Sequence, residues 1–496
     1  MSVFFKAQES INTLPQMDTE KTQKDSVKFC EILWLRSFLE KFFIDETNIK
    51  QKILEESVLI ASILKWTFFA VIVGSAVGVS TGVFLYLLGL TTNFVTGFNY
   101  YYLLLPPMIL LSAIIVKKIS PDAEGHGTEK VIEAVHKKSG DIPIKVIPVK
   151  LFTSIITTAF GGSVGKEGPC AQIGGGIASF FAQLLKFHPT DRKKLVICGI
   201  SAGFASVFGT PIAGALFGVE VLFIGQIMYE VLYPSFIAGV IGYHTCSLFG
   251  ITYFKHPINI VPKFTEFFLL KVIFFAILIG LVAFMFIETL KLMHSVFRKI
   301  PFVKGAILGS LLVVFIALVT SKQYLGLGLD TIAGAINGEK LPPFAFLWKT
   351  ILTAITLSCG GSGGIVTPIF FAGAASGNLF ARIFGFDIGT FSAIGMIALL
   401  AACTNTPIAS SVMAIELFGA KIGVYASVCS IVAFTIVGYR SVYPSQILGI
   451  SKSSSFRTSI NKEIKDVESP LLKPRKNTLV GVIFWVFYKI VHILKK

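Results

Sequence analysis

The chain has 496 residues, 53% of them hydrophobic and 15% charged, with 46 phenylalanines and a mean hydropathy of +0.75. A soluble core needs far less apolar matter, so the composition puts a membrane protein ahead of a soluble enzyme. The formal charge of +16 lies in short clusters between apolar runs, not on one helix or stripe, which argues against nucleic acid as a partner. The seven cysteines are scattered without metal-ligand spacing and read as packed thiols, so neither a metal nor a cofactor is expected.

Residues 1–56 are largely polar and lack the basic start and short apolar core of a signal peptide, so the N-terminal segment is expected in the cytoplasm. From Trp66 to Val116 no Asp, Glu, Lys, Arg or His occurs. At about 1.5 Å per helical residue that run exceeds the roughly 20 residues of one span and predicts at least two crossings. Further charge-poor runs lie at 151–165, 168–185, 195–219, 272–287, 305–321, 388–415 and 422–439. Several are too short or too rich in Gly and Pro for simple spans, and they predict broken or re-entrant helices, whose irregular backbone survives at membrane depth only where protein or a water-filled cavity satisfies it. Lysines and arginines cluster at Lys117–Lys118, Lys137–Lys138, Arg192–Lys194 and Lys473–Lys476. The positive-inside tendency therefore places those loops and both termini in the cytoplasm. The tail 451–496 is expected in the cytoplasm or along the membrane surface, since its last apolar stretch is too short for a span.

The middle of the chain repeats itself. KLFTSIITTAFGGS from Lys150 aligns with KTILTAITLSCGGS from Lys349, an offset of 199. GHGTEKVIEA from Gly125 parallels GLGLDTIAGA from Gly326, and TPIAGALFGVE from Thr210 parallels TPIASSVMAIE from Thr406, each of the latter pair ending in a glutamate, Glu220 and Glu416. Residues 57–250 and 251–450 thus read as two membrane repeats, with a transport site expected at their interface near the bilayer midplane. Close helix packing through small residues explains the glycines. It does not explain why one copy reads GKEGP and the other GGIVTP.

Glycine-rich segments at Gly125, Gly165 and Gly364 each run into a helix, leaving backbone N–H groups without intrahelical partners. A helix start carries partial positive charge, so the acceptor that suits it is an anion, held weakly enough to leave again. Glu167 lies at such a start and can act as a tethered anion in the place of a mobile one; intramembrane acids are functional candidates by default. A salt bridge to a lysine is the bland alternative, although Lys166, its neighbour in sequence, points elsewhere on a helix. A nucleotide P-loop fails twice, because Phe160 stands where the first glycine of GxxxxGK[ST] belongs and Glu167 where Ser or Thr belongs. A membrane enzyme with Glu167 as general acid lacks any accompanying nucleophile or metal-spaced set.

At these residues the chain resembles the CLC family of chloride channels and chloride/proton exchangers, over roughly residues 57–450. GHGTEKV at Gly125 is similar to the family's GSGIPE segment, GKEGP at Gly165 to its GK/REGP and GGIVTP at Gly363 to its GGIFxP. The resemblance implies an all-α polytopic fold of two inverted repeats of tilted and broken helices, in a bacterial-type member of the inner membrane without cytoplasmic nucleotide-binding domains. It also implies a homodimer with one pathway per subunit. Carried over by position, Glu167 is the gate, and Lys166 and Gly168 flank it in the anion-binding stretch. Tyr443 supplies a hydroxyl to the central anion, and the N–H groups of Ile365 and Val366 complete that site. Without the resemblance, Tyr443 reads as an interfacial aromatic in preference to an anion ligand.

Three departures stand out. His126 replaces the coordinating serine, either donating its N–H to the anion or turning away to bond a backbone carbonyl. Val221 occupies the place of the exchangers' inner acid, directly after Glu220, which matches the family's structural glutamate. Val366 stands where an aromatic is common. The expectation is chloride transport, channel-like or weakly proton-coupled. Fluoride/proton antiport and full chloride/proton exchange are the alternatives.

Overall fold

The computed structural model describes residues 19–256, 258, 265–467, 471–472 and 478–494. The chain divides into two compact units, Met1–Trp66 and Thr67–Lys496. Helix α1 (Thr19–Thr96) runs through residue 56 without a break. The polar-to-apolar change there marks composition and not the end of an element.

In the second unit the helices after α1 follow in two parallel series. The first is α2 (Leu105–Ile119), α3 (Thr128–Lys137), α4 (Val146–Ala159), α5 (Glu167–Leu184), α6 (Pro189–Phe208), α7 (Pro211–Glu220) and α8 (Tyr229–Ser247). The second is α9 (Glu266–Arg298), α10 (Phe302–Val319), α11 (Leu329–Ile336), α12 (Ala345–Ser358), α13 (Val366–Phe384), α14 (Ile388–Thr404), α15 (Pro407–Phe418) and α16 (Ala420–Ile436). Among the described residues four helical stretches are long and apolar enough to cross a membrane, at Ile49–Thr96, Tyr101–Ile119, Glu266–Arg298 and Phe302–Val319. The uncharged run from Trp66 to Val116 thus supplies two of them, with the turn at residues 97–100. Six further apolar helices have only 10–17 residues, as expected of broken helices.

Local chemistry sets the breaks at equivalent places. α6 ends on Gly209 (φ +70°) and α14 on Asn405 (φ +57°), both left-handed, and Thr-Pro then starts the next helix in each copy. Glycine and asparagine tolerate that conformation, and a first-turn proline lacks only an N–H that had no intrahelical partner anyway.

The halves meet about an approximate two-fold axis. Gly165 and Gly364 pair antiparallel, each N–H donating to the other's carbonyl at 2.7 and 2.6 Å. Around them the contacts recur in duplicate. The Lys150 ammonium, fully buried in α4, donates to the carbonyls of Ala123 and Gly125; that of Lys349, fully buried in α12, donates to Tyr324 and Gly326. Each lysine thus ties down the loop that leads into a short helix, α3 or α11. The Ser362 N–H donates to the Thr157 hydroxyl at 3.1 Å and the Ser163 N–H to that of Thr356 at 3.3 Å. Backbones also touch in matched pairs: a Cβ on Gly174 or Gly199 would strike the other's carbonyl oxygen, which seats α5 on α6, and Gly373 with Gly395 does the same for α13 on α14.

The two glutamates that close the repeated TPIA segments exchange caps. Glu220, at the end of α7, accepts from the N–H groups of Ile408 and Ala409 at the start of α15, at 3.0 and 2.7 Å. Glu416 accepts from Ile212 and Ala213 at the start of α7, at 3.1 and 2.8 Å. After α16 the chain returns to the first half, where β2 (Ile447–Leu448) pairs in parallel with β1 (Phe223–Ile224) and packs with Ile464 into a small core. Beyond a two-residue pairing of β3 (Phe456–Arg457) with β4 (Leu471–Leu472), helix α17 (Leu479–Leu494) exposes Val482, Trp485 and Phe487.

Replacing Glu220 or Glu416 by Ala should each lower stability by about 0.5–2 kcal/mol, the range for lost helix caps. The larger loss is expected at Glu220, which is only 6% exposed. Thermal unfolding of both variants in one detergent checks this, and melting temperatures equal to the parent's would remove the capping role.

Candidate functional site

Three helix starts converge where the repeats meet. Gly127, with φ +82°, immediately precedes α3, and a Cβ there would collide with the carbonyl of Gly168 in the first turn of α5. A Cβ on Gly168 would in turn collide with the His126 carbonyl and stand 3.0 Å from the Cα of Gly364, which precedes α13. Only glycine at these places lets the three backbones touch. The helices begin two or three residues after Gly125, Gly165 and Gly364, at Thr128, Glu167 and Val366.

Glu167 is fully buried. Its Oε2 accepts from the backbone N–H of Thr367 at 3.2 Å, and the Thr367 hydroxyl donates to its Oε1. The first residue of α5 thus places its carboxylate at the N-terminus of α13, in the opposite repeat. Two donors and the end of a helix dipole there meet one negative charge. No ion pair to Lys166 accompanies it among the described residues; Lys166 lies beside Thr367 on the wall of a cavity of about 260 Å³, with Phe208, Tyr253, His256 and Phe370. Thr367 therefore touches both the cavity and the carboxylate.

Beyond Glu167 lie Tyr443 and His126. The Tyr443 ring is fully buried, and the His126 ring, half-buried, packs against it with centroids 5.5 Å apart and planes inclined by 46°. The Tyr443 hydroxyl lies near Thr128 without forming a hydrogen bond of normal geometry, and Nδ1 of His126 is buried without a partner among the described residues. The histidine therefore shows no bond through Nδ1 to a backbone carbonyl. The site presents donors of three kinds, a phenol hydroxyl, an imidazole and helix-start amides, with no fixed cation in direct contact.

Tyr443 is held from behind by Gln446, whose Nε2 donates to the carbonyls of Val221 and Thr404, both at 2.7 Å, and whose Oε1 accepts from Asn405 and Ser441. Val221 is fully buried beside this anchor. Ile365 and Val366 are buried at the start of α13. Glu167, Lys166, Gly168, His126, Tyr443, Ile365 and Val366 thus lie where the repeats meet, whereas Val221 belongs to the packing around Gln446. Sequence reasoning passed over Thr367 and Gln446. For Thr367 a signal was present, since the 199-residue offset pairs it with Gly168 and Val366 with Glu167.

The description voltage gated chloride channel fits this chain over residues 108–438. A chloride/fluoride channel protein of Pseudomonas syringae pv. tomato is 31% identical over 444 residues, 86% of this chain and 97% of its own. An uncharacterised protein of Methanocaldococcus jannaschii is 29% identical over 65% of this chain and 82% of its own. Among solved structures, a CLC-type fluoride/proton antiporter superposes with a TM-score of 0.74 at 27% identity, covering 77% of this chain and 98% of that one. A slow cyanobacterial chloride/proton antiporter shares the fold, with a TM-score of 0.65 at 21% identity over 75% of this chain and 94% of that one.

Thr367→Val removes one of the two donors to a buried carboxylate at nearly constant volume. The expected cost is about 1.5–3 kcal/mol, whereas Thr367→Ser keeps the donor and should cost about 1 kcal/mol or less. Equal melting temperatures for the two variants would show that the hydroxyl does not hold Glu167.

Proposed function

This chain belongs to the voltage-gated chloride channel family of integral membrane anion transporters, and we propose that it carries chloride or fluoride through a pathway between its two repeats, with Glu167 as a protonatable gate. The observation that carries this reading is the Glu167 carboxylate seated on the Thr367 amide and hydroxyl at the start of α13. A carboxylate in that seat competes with a halide for the same donors. Protonation or outward rotation of Glu167 frees them. A halide arriving past Lys166 and Thr367 then meets the amides of Gly168, Ile365 and Val366, and passes on to the Tyr443 hydroxyl and His126. Binding by neutral donors keeps the ion exchangeable.

Coupling to protons is a second reading, favoured by the 27% identical fluoride/proton antiporter, nearly all of which this chain covers. Val221, apolar where exchangers place an inner acid, favours the channel. The repeats bounding the pathway are residues 57–250 and 251–450. The family resemblance supports a homodimer in the plasma membrane with cytoplasmic ends, one pathway to each subunit.

In liposomes, Glu167→Gln should leave halide efflux nearly independent of pH and abolish any coupled proton movement. Unchanged pH dependence would remove Glu167 from the gate. Recording chloride and fluoride efflux together with protons also separates the two readings, because halide-driven uphill proton movement is incompatible with a pure channel.

His126 is tested on the Glu167→Gln background, where the competing carboxylate is gone. Calorimetric halide binding between about pH 5 and 8, the range in which an ordinary imidazole titrates, should weaken roughly 2- to 10-fold in His126→Ala, as for one lost hydrogen bond, and lose any acid enhancement. Affinity and pH profile unchanged in both His126→Ala and His126→Ser would leave Tyr443 and the amides to bind the ion alone.

A further inference from the structure

We propose that Glu129 is the proton acceptor on the Tyr443 side of the pathway, the role that Val221 leaves open; this rests on the proton-coupled reading above. Glu220 cannot fill that role while both its oxygens cap α15. Glu129 lies three residues after His126, in the first turn of α3. Its Oε1 accepts the Ser445 N–H at 3.0 Å, two residues past Tyr443. Its Oε2 is buried and, among the described residues, has no hydrogen-bond partner. The Tyr443 hydroxyl lies within electrostatic reach of both the Glu129 and Glu167 carboxylates.

On its other side Glu129 meets a charged, solvent-facing network. Glu133, one helical turn on, pairs with Lys130 at 3.4 Å and Lys137 at 3.5 Å. Lys137 reaches Glu463 at 3.2 Å, and Glu463 pairs with Lys465. Glu133 and Lys465 both act electrostatically on Glu129. The groups around it are therefore Lys130 and Glu133 on its own helix, Lys465 from the tail, His126 before the helix, and Tyr443 with the Ser445 amide from the returning chain. The carboxyl stands between water and the anion site. One oxygen is anchored and the other is free to take a proton.

The step balances simply. A hydronium on the network side gives its proton to Oε2, making the neutral acid and water. The acid passes that proton to a Glu167 carboxylate turned inward, and Glu129 returns to its anion as Glu167 becomes neutral. One proton is carried for each cycle of the gate.

The full-length protein in liposomes, with halide and proton fluxes recorded together, tests this. Glu129→Gln keeps an acceptor for the Ser445 N–H, so halide flux should stay within about twofold of the parent while coupled proton flux falls about 100-fold or more, the scale of a lost acid–base group. Glu129→Asp should recover most of it. A parental halide-to-proton ratio in Glu129→Gln overturns the assignment. Should that variant fail to fold, a Glu129→Asp protein that conducts halide but carries no protons in step with it also overturns it, because the acid is then present. A parent protein that moves halide without protons overturns it through the coupled reading and leaves the Glu167 gate standing. A parent that moves no halide ends the proposed function itself.

Discussion

The two hydrogen bonds between Gly165 and Gly364 decide where the rest of the second unit can lie. Each glycine precedes a helix by two residues, so pairing them antiparallel sets the starts of α5 and α13 side by side in a region without bulk water. Amides exposed there without acceptors cost about 1–3 kcal/mol apiece. The structure meets that demand across the interface, with the side chain of one repeat serving the helix of the other, at Glu167 as at Glu220 and Glu416. A single arrangement of backbone thereby produces the dimensions of the interface and its affinity for negative charge.

The duplicated contacts separate scaffold from chemistry. Lys150 with Lys349, Thr157 with Thr356 and Gly174 with Gly373 do the same work in each half, and each pair is formed by identical residues. The halves disagree where the charge is: Glu167 and Gly168 in one copy face Val366 and Thr367 in the other. The carboxylate and the hydroxyl that holds it therefore come from neighbouring positions of opposite copies, and neither has its like at the equivalent place in the other. The chain beyond α16 contributes further asymmetry, since Tyr443 and its Gln446 anchor come from it and Gln446 reaches back to Val221 in the first half.

Periodicity and repetition made much of this legible in advance. The uncharged run announced two crossings, and the glycine-rich helix starts announced a convergence, because those features depend only on local chemistry and on the cost of bare amides in lipid. The boundary at residue 56 was a matter of composition, and α1 ignores it, since a helix continues through polar residues that favour it as readily as through apolar ones. The brace from Gln446 was not legible, because it depends on which distant segments arrive beside it, and Thr367 could be found only through the 199-residue offset that pairs it with Gly168. His126 lay between these cases: its position was plain in the sequence, but its tilt against Tyr443 is a property of packing.

The glycine pairs that seat α5 on α6 and α13 on α14 also bear on movement. Where carbonyl oxygens stand where side chains would otherwise be, no soft layer remains for a helix to slide or roll on, and a displacement large enough to widen the passage would drive backbone into backbone. Motion of the helices that carry Glu167 and Thr367 is thereby restricted to that of a stiff frame. The gate proposed at Glu167, mounted on such a frame, would open by rotation about the χ angles of one side chain, a change of a few ångströms that leaves the surrounding helices where they are.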